Sequence, residues 1–167
     1  MSVPNTLNRD IADAASIAMD EGGATGLRLP RSDRFAFGGA GFTIEGWVMP
    51  GTVDIDGDIF VFEGVNGNGY RLSLDSGAPH GVISEDGVDI IEVGGDGATP
   101  ALTAAEWTHV AISWDPSINS LRMYRNGILV MAQHTMLNPN VGAVGDAYLI
   151  RGFAGAVSRG LGALAAL

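Results

Sequence analysis

The sequence predicts an all-β fold, a two-sheet antiparallel β-sandwich formed by one domain. Short apolar or alternating segments recur between residues 27 and 157, and each is bounded by Gly, Pro, Asn or Asp. Almost no helical periodicity separates them, and the 25 glycines are spread over the intervals instead of forming a repeat. Strands at roughly 8 to 12 residue spacing, with turn residues between them, are typical of an antiparallel sandwich.

Residues 1–23 differ from the rest and predict an N-terminal arm. Asn8 is a candidate cap for a short helix over 9–19, whose apolar face would consist of Ile11, Ala14, Ala15 and Ala18. Gly22 and Gly23 end this pattern. The apolar face is too thin for a core helix, so we expect a docking arm on residues 1–23. The sandwich domain then covers 24–167 and ends in a short apolar tail.

The predicted strands follow in chain order, and their patterns differ. YRLSLDS has the cleanest alternation, which indicates a strand with one solvated face. FTIEGWV is apolar on both faces, as expected of a central strand. Asn126-Gly127 supplies the positive φ values of a type I′ turn and predicts a hairpin. The full set is LRL, FTIEGWVMP, DIFVFEG, YRLSLDS, HGVISED, DIIEVGG, WTHVAISWD, LRMYRNG, ILVMAQH and DAYLIRGF.

Composition excludes several classes of function. The chain has no cysteine, and all nine of its positive charges are arginines, so thiolate, disulfide and Schiff-base chemistry are excluded. A formal charge of −10 argues against nucleic acid and against anionic membranes. No apolar run reaches the roughly 20 residues of a membrane span, and no signal peptide is visible. Only 17% of the residues are charged, so we expect surface area to be buried in a homo-oligomer.

Three segments in this order resemble the laminin-G-like domains of the concanavalin A-like lectin/glucanase (jelly-roll) superfamily. They are FTIEGWV (42–48), EWTHVA (106–111) and LRMYRNG (121–127), and the resemblance covers about residues 27–157. It implies a two-sheet jelly roll that binds glycans or proteins. The end of the chain departs from the family pattern, because the usual acidic pair is missing from the stretch that begins at Phe153. We therefore expect a shortened last strand and an arm and tail that reach neighbouring subunits.

No arrangement of side chains predicts an enzyme. His109 lies mid-strand beside small residues and is interpreted as structural, since a general base needs an oriented partner. Glycoside hydrolases with this sandwich carry E-x-D-x-x-E on one strand, and the nearest match ends at Asp89 and Glu92. The first position of that motif is Gly87 here, so the nucleophile is absent. The tryptophans at 47, 107 and 114 lie in or beside predicted strands, and we expect them in the core.

Two groups of charged residues remain as candidate sites. Asp54, Asp56 and Asp58 alternate along the chain, and alternating carboxylates can converge on Ca²⁺. An acidic, solvated turn is the alternative reading, and no other cofactor is expected. Arg125 stands where the family commonly has an apolar residue. A cation at an inward position needs a carboxylate partner or an interface, so Arg125 predicts a buried ion pair or a subunit contact.

These observations leave two hypotheses for a binding function, besides a third, an enzyme, that would depend on Glu92 or Asp89. The first is a non-enzymatic structural or adhesive subunit on the surface of a larger assembly, such as a phage virion. Its location would be the virion or the extracellular surface, and its partners would be other protein subunits. The alternative is a lectin-like carbohydrate-binding module, with or without calcium, whose partner is a cell-surface glycan. Neither hypothesis involves nucleic acid or membrane insertion.

Overall fold

The computed structural model describes residues 18–19, 27–32, 35–64, 68–86, 88–137, 145–154, 158–159 and 161–162. These ranges contain thirteen strands and no α-helix. The strands are β1 (Ala18–Met19), β2 (Leu27–Ser32), β3 (Phe42–Val48), β4 (Asp56–Glu63), β5 (Gly69–Asp75), β6 (Ala78–Ser84), β7 (Ile90–Gly94), β8 (Thr108–Asp115), β9 (Ser120–Arg125), β10 (Ile128–His134), β11 (Gly145–Ala154), β12 (Ser158–Arg159) and β13 (Leu161–Gly162).

The strands form two large antiparallel sheets, which confirms the predicted sandwich. One sheet has six strands in the order β2-β11-β4-β5-β6-β7. The other has five in the order β10-β9-β8-β3-β13, and β1 pairs with β12 as a separate two-stranded ladder. In the part of the chain that the structure describes, no helix is long and apolar enough to cross a membrane.

The core lies between the two large sheets and is built by alternation along their strands. On β5, Tyr70, Leu72 and Leu74 are buried, whereas Arg71 between them is exposed. The five-stranded sheet contributes Trp114, which is 2% exposed, together with other fully buried side chains. Those side chains include Val110, Ile112, Leu121 and Met123. This burial of apolar surface from both sheets is the main stabilising term of the fold.

The two sheets approach each other closely at Gly81 of β6. A Cβ atom added at Gly81 would lie 2.5 Å from Cγ2 of Ile112 and 3.1 Å from Cγ1 of Val93. The residue must therefore be glycine for β6 to pack this close to β8. Its neighbours His80 and Val82 point to the opposite, outer side of the sheet.

Aromatic rings fill one end of the core around Tyr70. The Tyr70 hydroxyl donates a 2.6 Å hydrogen bond to the backbone carbonyl of Phe35. Burial raises the pKa of Tyr70, so its hydroxyl stays protonated and remains a donor. The ring contacts Phe42 and Phe62, with centroids 4.9 and 5.3 Å away. These contacts join β3 to β4 and β5 at this end of the sandwich.

Two hairpins turn through residues with positive φ. Asn126 and Gly127 have φ values of 50° and 76°, as predicted for the turn between β9 and β10. Ser76 and Gly77 have φ values of 49° and 76° between β5 and β6. A Ser at the first position is a weaker turn signal than Asn, which is why the sequence did not single out this second turn.

The two ends of the domain differ from the expectation. Ala18 and Met19 are extended and pair with Arg159 and Ser158, so the predicted helix cannot continue to Met19. The earlier part of that prediction, residues 9–17, lies outside the described residues. Ladder hydrogen bonds to a strand of the same chain replace the expected helical bonds at this position. Leu161 likewise pairs with Val48 of β3, so β12 and β13 pair with strands of their own subunit. The contact of arm and tail with neighbouring subunits stays a prediction.

Candidate functional site

The outer surface of the six-stranded sheet gathers polar side chains in register. Cross-strand pairing aligns Val61, Arg71, Val82 and Glu92 in one row across β4, β5, β6 and β7. The adjacent row aligns Asp58, Ser73 and His80. We call these seven residues the open face. Because the inward residues of the same strands form the core, their alternate neighbours must point outward here.

Two depressions lie on the open face and meet at Arg71. The first is about 440 Å³ in volume, and its lining includes Val61, Glu63, Asn68, Ser84 and Ile90. The second is about 430 Å³, and its lining includes Asp56, Asp58, Ser73, Asp75 and His80. Arg71 lines both depressions. A ligand that spans the face would therefore contact this guanidinium.

Among the described residues that line the two depressions, carboxylates outnumber cations. Arg71 is the one arginine among them, and the acidic residues of the lining are Asp56, Asp58, Asp75 and Glu63. A guanidinium offers five N–H donors in a fixed plane, and carboxylates offer only acceptors. The face therefore presents both kinds of hydrogen-bonding group within a short distance, beside small apolar side chains.

His80 is a partly buried polar residue of the open face, and Ser73 beside it is 5% exposed. Burial lowers the pKa of His80, and the nearby Arg71 lowers it further, whereas Glu92 acts in the opposite direction. His80 Nε2 lies 3.8 Å from Glu92 Oε1. The imidazole is therefore mainly neutral at pH 7, with one nitrogen able to donate and the other able to accept. Its backbone carbonyl accepts a 3.3 Å hydrogen bond from the Ser73 hydroxyl, which holds β5 and β6 in register.

The three aspartates of the predicted calcium site lie at the start of β4. Asp58 belongs to the open face, whereas Asp54 precedes the strand and is exposed. Asp56 Oδ1 accepts a 2.6 Å hydrogen bond from the backbone N–H of Ser76. Among the described residues, no three His, Asp or Glu side chains form a group that could hold a metal ion. Calcium binding at these aspartates stays a prediction.

Arg125 lies at the end of β9, beside the hairpin turn. It pairs across the sheet with Val110 of β8 and with Ile128 of β10. Its Nη1 donates a 3.5 Å hydrogen bond to the carbonyl of Pro100, and no carboxylate pairs with it in the described part of the chain. A subunit contact at Arg125 stays a prediction.

Two of the three tryptophans are exposed, so the expectation of core positions was wrong for them. Trp114 is 2% exposed, but Trp47 and Trp107 are 46% and 40% exposed. Ile44 and Val48 of β3 point into the core, so Trp47 lies on the other face of the strand. There its ring faces His109, with centroids 5.4 Å apart, and His109 Nε2 lies 3.5 Å from Glu45 Oε2.

The two acidic residues of the partial glycosidase motif lie in different elements. Glu92 lies on the open face, whereas Asp89 belongs to the loop between β6 and β7. In that loop, Asp86 Oδ1 accepts 2.8 Å hydrogen bonds from the backbone N–H groups of Val88 and Asp89. These bonds lower the pKa of Asp86 and identify it as a turn residue. Residue 87 lies outside the described residues.

The open face itself was not predicted from the sequence. One signal for it was present in YRLSLDS, whose alternation separates the inward Leu72 from the outward Arg71 and Ser73. The missing information was the register that aligns Arg71 with Glu92 and His80 with Asp58, because cross-strand alignment depends on the turns between strands.

Comparisons with known proteins agree with this architecture. A laminin G model of the concanavalin A-like lectin/glucanases superfamily matches residues 21–166. No curated protein matches the sequence significantly. The binding domain of Paraclostridial Mosquitocidal Protein 1 superposes with a TM-score of 0.64 at 14% identity, over 90% of this chain but only 40% of that one.

This chain covers a larger share of two further solved structures. The CBM40 of a Ruminococcus gnavus IT-sialidase, bound to α2,3-sialyllactose, has a TM-score of 0.54 at 13% identity and covers 92% of this chain and 95% of that one. A heptameric SAP-like pentraxin from Limulus polyphemus has a TM-score of 0.54 at 16% identity, over 82% of this chain and 64% of that one. At these identities the similarity concerns the fold.

Proposed function

From the membership of this chain in the concanavalin A-like lectin/glucanase superfamily, as a laminin G-type domain, we propose that it is a non-enzymatic binding module whose open face holds a carbohydrate. One observation carries the proposal: two adjoining depressions of about 440 and 430 Å³ share Arg71 as a common lining residue. Two depressions of this size, placed side by side, suit an oligosaccharide of more than one ring.

The side chains of the open face match the chemistry of a sugar. Each sugar hydroxyl both donates and accepts, so it is recognised best where donors and acceptors stand close together. Arg71 supplies donors, Asp58 and Glu92 supply acceptors, and neutral His80 supplies either. Arg71 is also the group on this face that would bind a sugar carboxylate.

One exposed apolar side chain beside these polar groups suits the C–H surface of a sugar ring. Ile90 is 47% exposed at the rim of the first depression, whereas Val61 and Val82, in the row of Arg71, are only 5% and 7% exposed. Water released from Ile90 adds a favourable hydrophobic contribution to binding. The CBM40 that this chain resembles in fold was solved with a bound sialylated sugar, which supports the choice of ligand class.

A glycan array followed by calorimetry tests the proposal. The array contains α2,3-sialyllactose and lactose, which differ in a carboxylated sugar, and the best binder is titrated against the wild type. Removing Arg71 as Arg71→Ala should weaken binding by roughly tenfold to a hundredfold, because a hydrogen bond to a charged group contributes about 1.5–3 kcal/mol. Arg122→Ala is the matched control, since Arg122 belongs to the five-stranded sheet and lies 3.8 Å from Asp115. Binding that survives Arg71→Ala and fails in Arg122→Ala would contradict the proposal.

Calcium dependence is a separate part of the same proposal. Asp56 and Asp58 line the second depression, so a cation at these aspartates would lie beside the sugar site. If Ca²⁺ raises the affinity for the bound glycan, Asp56→Asn with Asp58→Asn should abolish that increase. Equal affinity in calcium and in chelator would show that the aspartates form only a solvated turn.

A second candidate function is a surface subunit of a larger assembly, such as a phage virion. The observation that favours it is the exposed apolar strand β10, where Ile128 is 70% exposed. This role and sugar binding are compatible, because an adhesive subunit needs both an attachment surface and a receptor surface. Peptide mass spectrometry of purified particles tests the assignment, and particles that lack the chain would overturn it.

A further inference from the structure

We propose that two copies of this chain pair through β10, so that their five-stranded sheets join edge to edge. β10 is the end strand of its sheet, and within the described residues only β9 pairs with it. Six of its seven residues are exposed. Ile128, Leu129 and Val130 are 70%, 51% and 42% exposed. A long apolar edge with unpaired backbone groups pairs readily with another strand unless something covers it.

The same side of the sandwich carries further exposed apolar side chains. Ile90 of β7 lines a depression of about 250 Å³ with Gln133 and Thr135, so the two edge strands run beside each other there. Ile90 is 47% exposed, and Val88 and Met136 next to these residues are 81% and 96% exposed. We call β10 with Val88, Ile90 and Met136 the edge surface.

Charge identifies a second copy of this chain as the partner. All 19 acidic residues lie outside residues 116–145, the segment that contains β9 and β10 and carries Arg122 and Arg125. The loop between β6 and β7 holds Glu85, Asp86 and Asp89 on the other sheet, beside the C-terminal end of β10. The edge surface thus has a basic hairpin at one end and an acidic loop at the other. An antiparallel pair of copies places the hairpin of one beside the loop of the other, so like charges do not oppose each other.

The backbone geometry also suits self-pairing. An antiparallel ladder between two identical strands has a two-fold axis perpendicular to the sheet, so one surface meets its own copy. A bulge interrupts the register with β9 between Leu129 and Met131, and the rest of β10, to His134, is regular. The new ladder can therefore centre on Ala132 in the regular half, which places Ile128 and Val130 against the far end of the partner's β10.

This dimer has a consequence that rests on the proposed sugar binding. A two-fold axis perpendicular to the joined sheets places both six-stranded sheets on the same side of them. Both open faces would then point in the same direction, which suits a surface that carries many copies of one glycan. Two linked sites can bind such a surface much more tightly than either site alone.

Sedimentation and cross-linking of the full chain test the dimer. The wild type should sediment at about twice 17.3 kDa. The pair Ile128→Glu and Val130→Glu, which adds acid to the basic edge, should sediment as a monomer. Val53→Glu, at a loop residue that is 49% exposed, should leave the dimer intact. The natural chain has no cysteine, so Ala132→Cys introduces a unique thiol, and this variant should form a disulfide-linked dimer much faster than Val53→Cys.

Three results would overturn the inference. They are a monomeric wild type, a dimer that survives the β10 acid substitutions, and equal cross-linking of Ala132→Cys and Val53→Cys. The cysteine pair keeps the test decisive if the acid variant fails to fold. Arg71→Ala separates this inference from the sugar proposal, because it should abolish glycan binding and leave the dimer unchanged.

Discussion

Gly81→Ala should destabilise the protein because the two sheets leave no room for a side chain there. The new Cβ would lie 2.5 Å from Cγ2 of Ile112, well inside van der Waals contact. Ile112 is β-branched and fully buried, so its side chain cannot rotate away at low cost. Overpacking of this kind costs about 1–3 kcal/mol, and the lower backbone entropy of the unfolded alanine chain offsets about 0.4–1 kcal/mol of it.

The net effect is a loss of about 0–2.6 kcal/mol in the free energy of unfolding. Urea denaturation measures it, with a lower midpoint and an unchanged slope. Gly46→Ala is the matched control, since Gly46 is also a strand glycine but has no atom within 4 Å of an added Cβ. Gly46→Ala should be neutral or slightly stabilising. Equal midpoints for the two variants would refute the close approach of the sheets at Gly81.

Three further substitutions test the packing and electrostatics. Burial lowers the pKa of His80, so below its ordinary value of 6.5 the unfolded state binds more protons and stability falls as the pH falls. His80→Gln should therefore lose less stability than the wild type between pH 7 and pH 5, as measured by urea midpoints at both values. Tyr70→Phe removes the donor to the Phe35 carbonyl and should cost about 1–2 kcal/mol in thermal unfolding, whereas an unchanged stability would show that this hydrogen bond contributes nothing. Gly127→Ala meets no atom but keeps a φ of 76°, so it should cost about 1 kcal/mol by calorimetry, and a gain in stability would contradict the type I′ turn.

Most of the sandwich follows from local sequence patterns. The segments predicted as strands correspond to β2–β11, because each combines an apolar or alternating run with turn residues at its ends. The Asn126-Gly127 turn was predicted from its residue types alone. β1, β12 and β13 have two residues each and no pattern of their own. They form only because the folded chain brings them beside other strands.

Burial was harder to predict than secondary structure. Trp47 and Trp114 both lie in predicted strands, yet one is half exposed and the other is in the core. Large aromatic side chains are buried in most strands, but the face is set by alternation from Ile44 and Val48, which overrides that tendency. The open face required the same kind of non-local information, since Arg71 and Glu92 are brought together only by the register of three strands.

Mapping a bound glycan by backbone amide chemical shifts tests the central claim most directly. The isotope-labelled wild type is titrated with the best ligand from the glycan array. The proposed function predicts that the largest shifts lie on β5 and β6, at Arg71, Ser73 and His80. Shifts centred on Trp47 and His109, on the outer surface of the other sheet, would place the site elsewhere. The absence of any shift with every glycan tested would contradict carbohydrate binding itself.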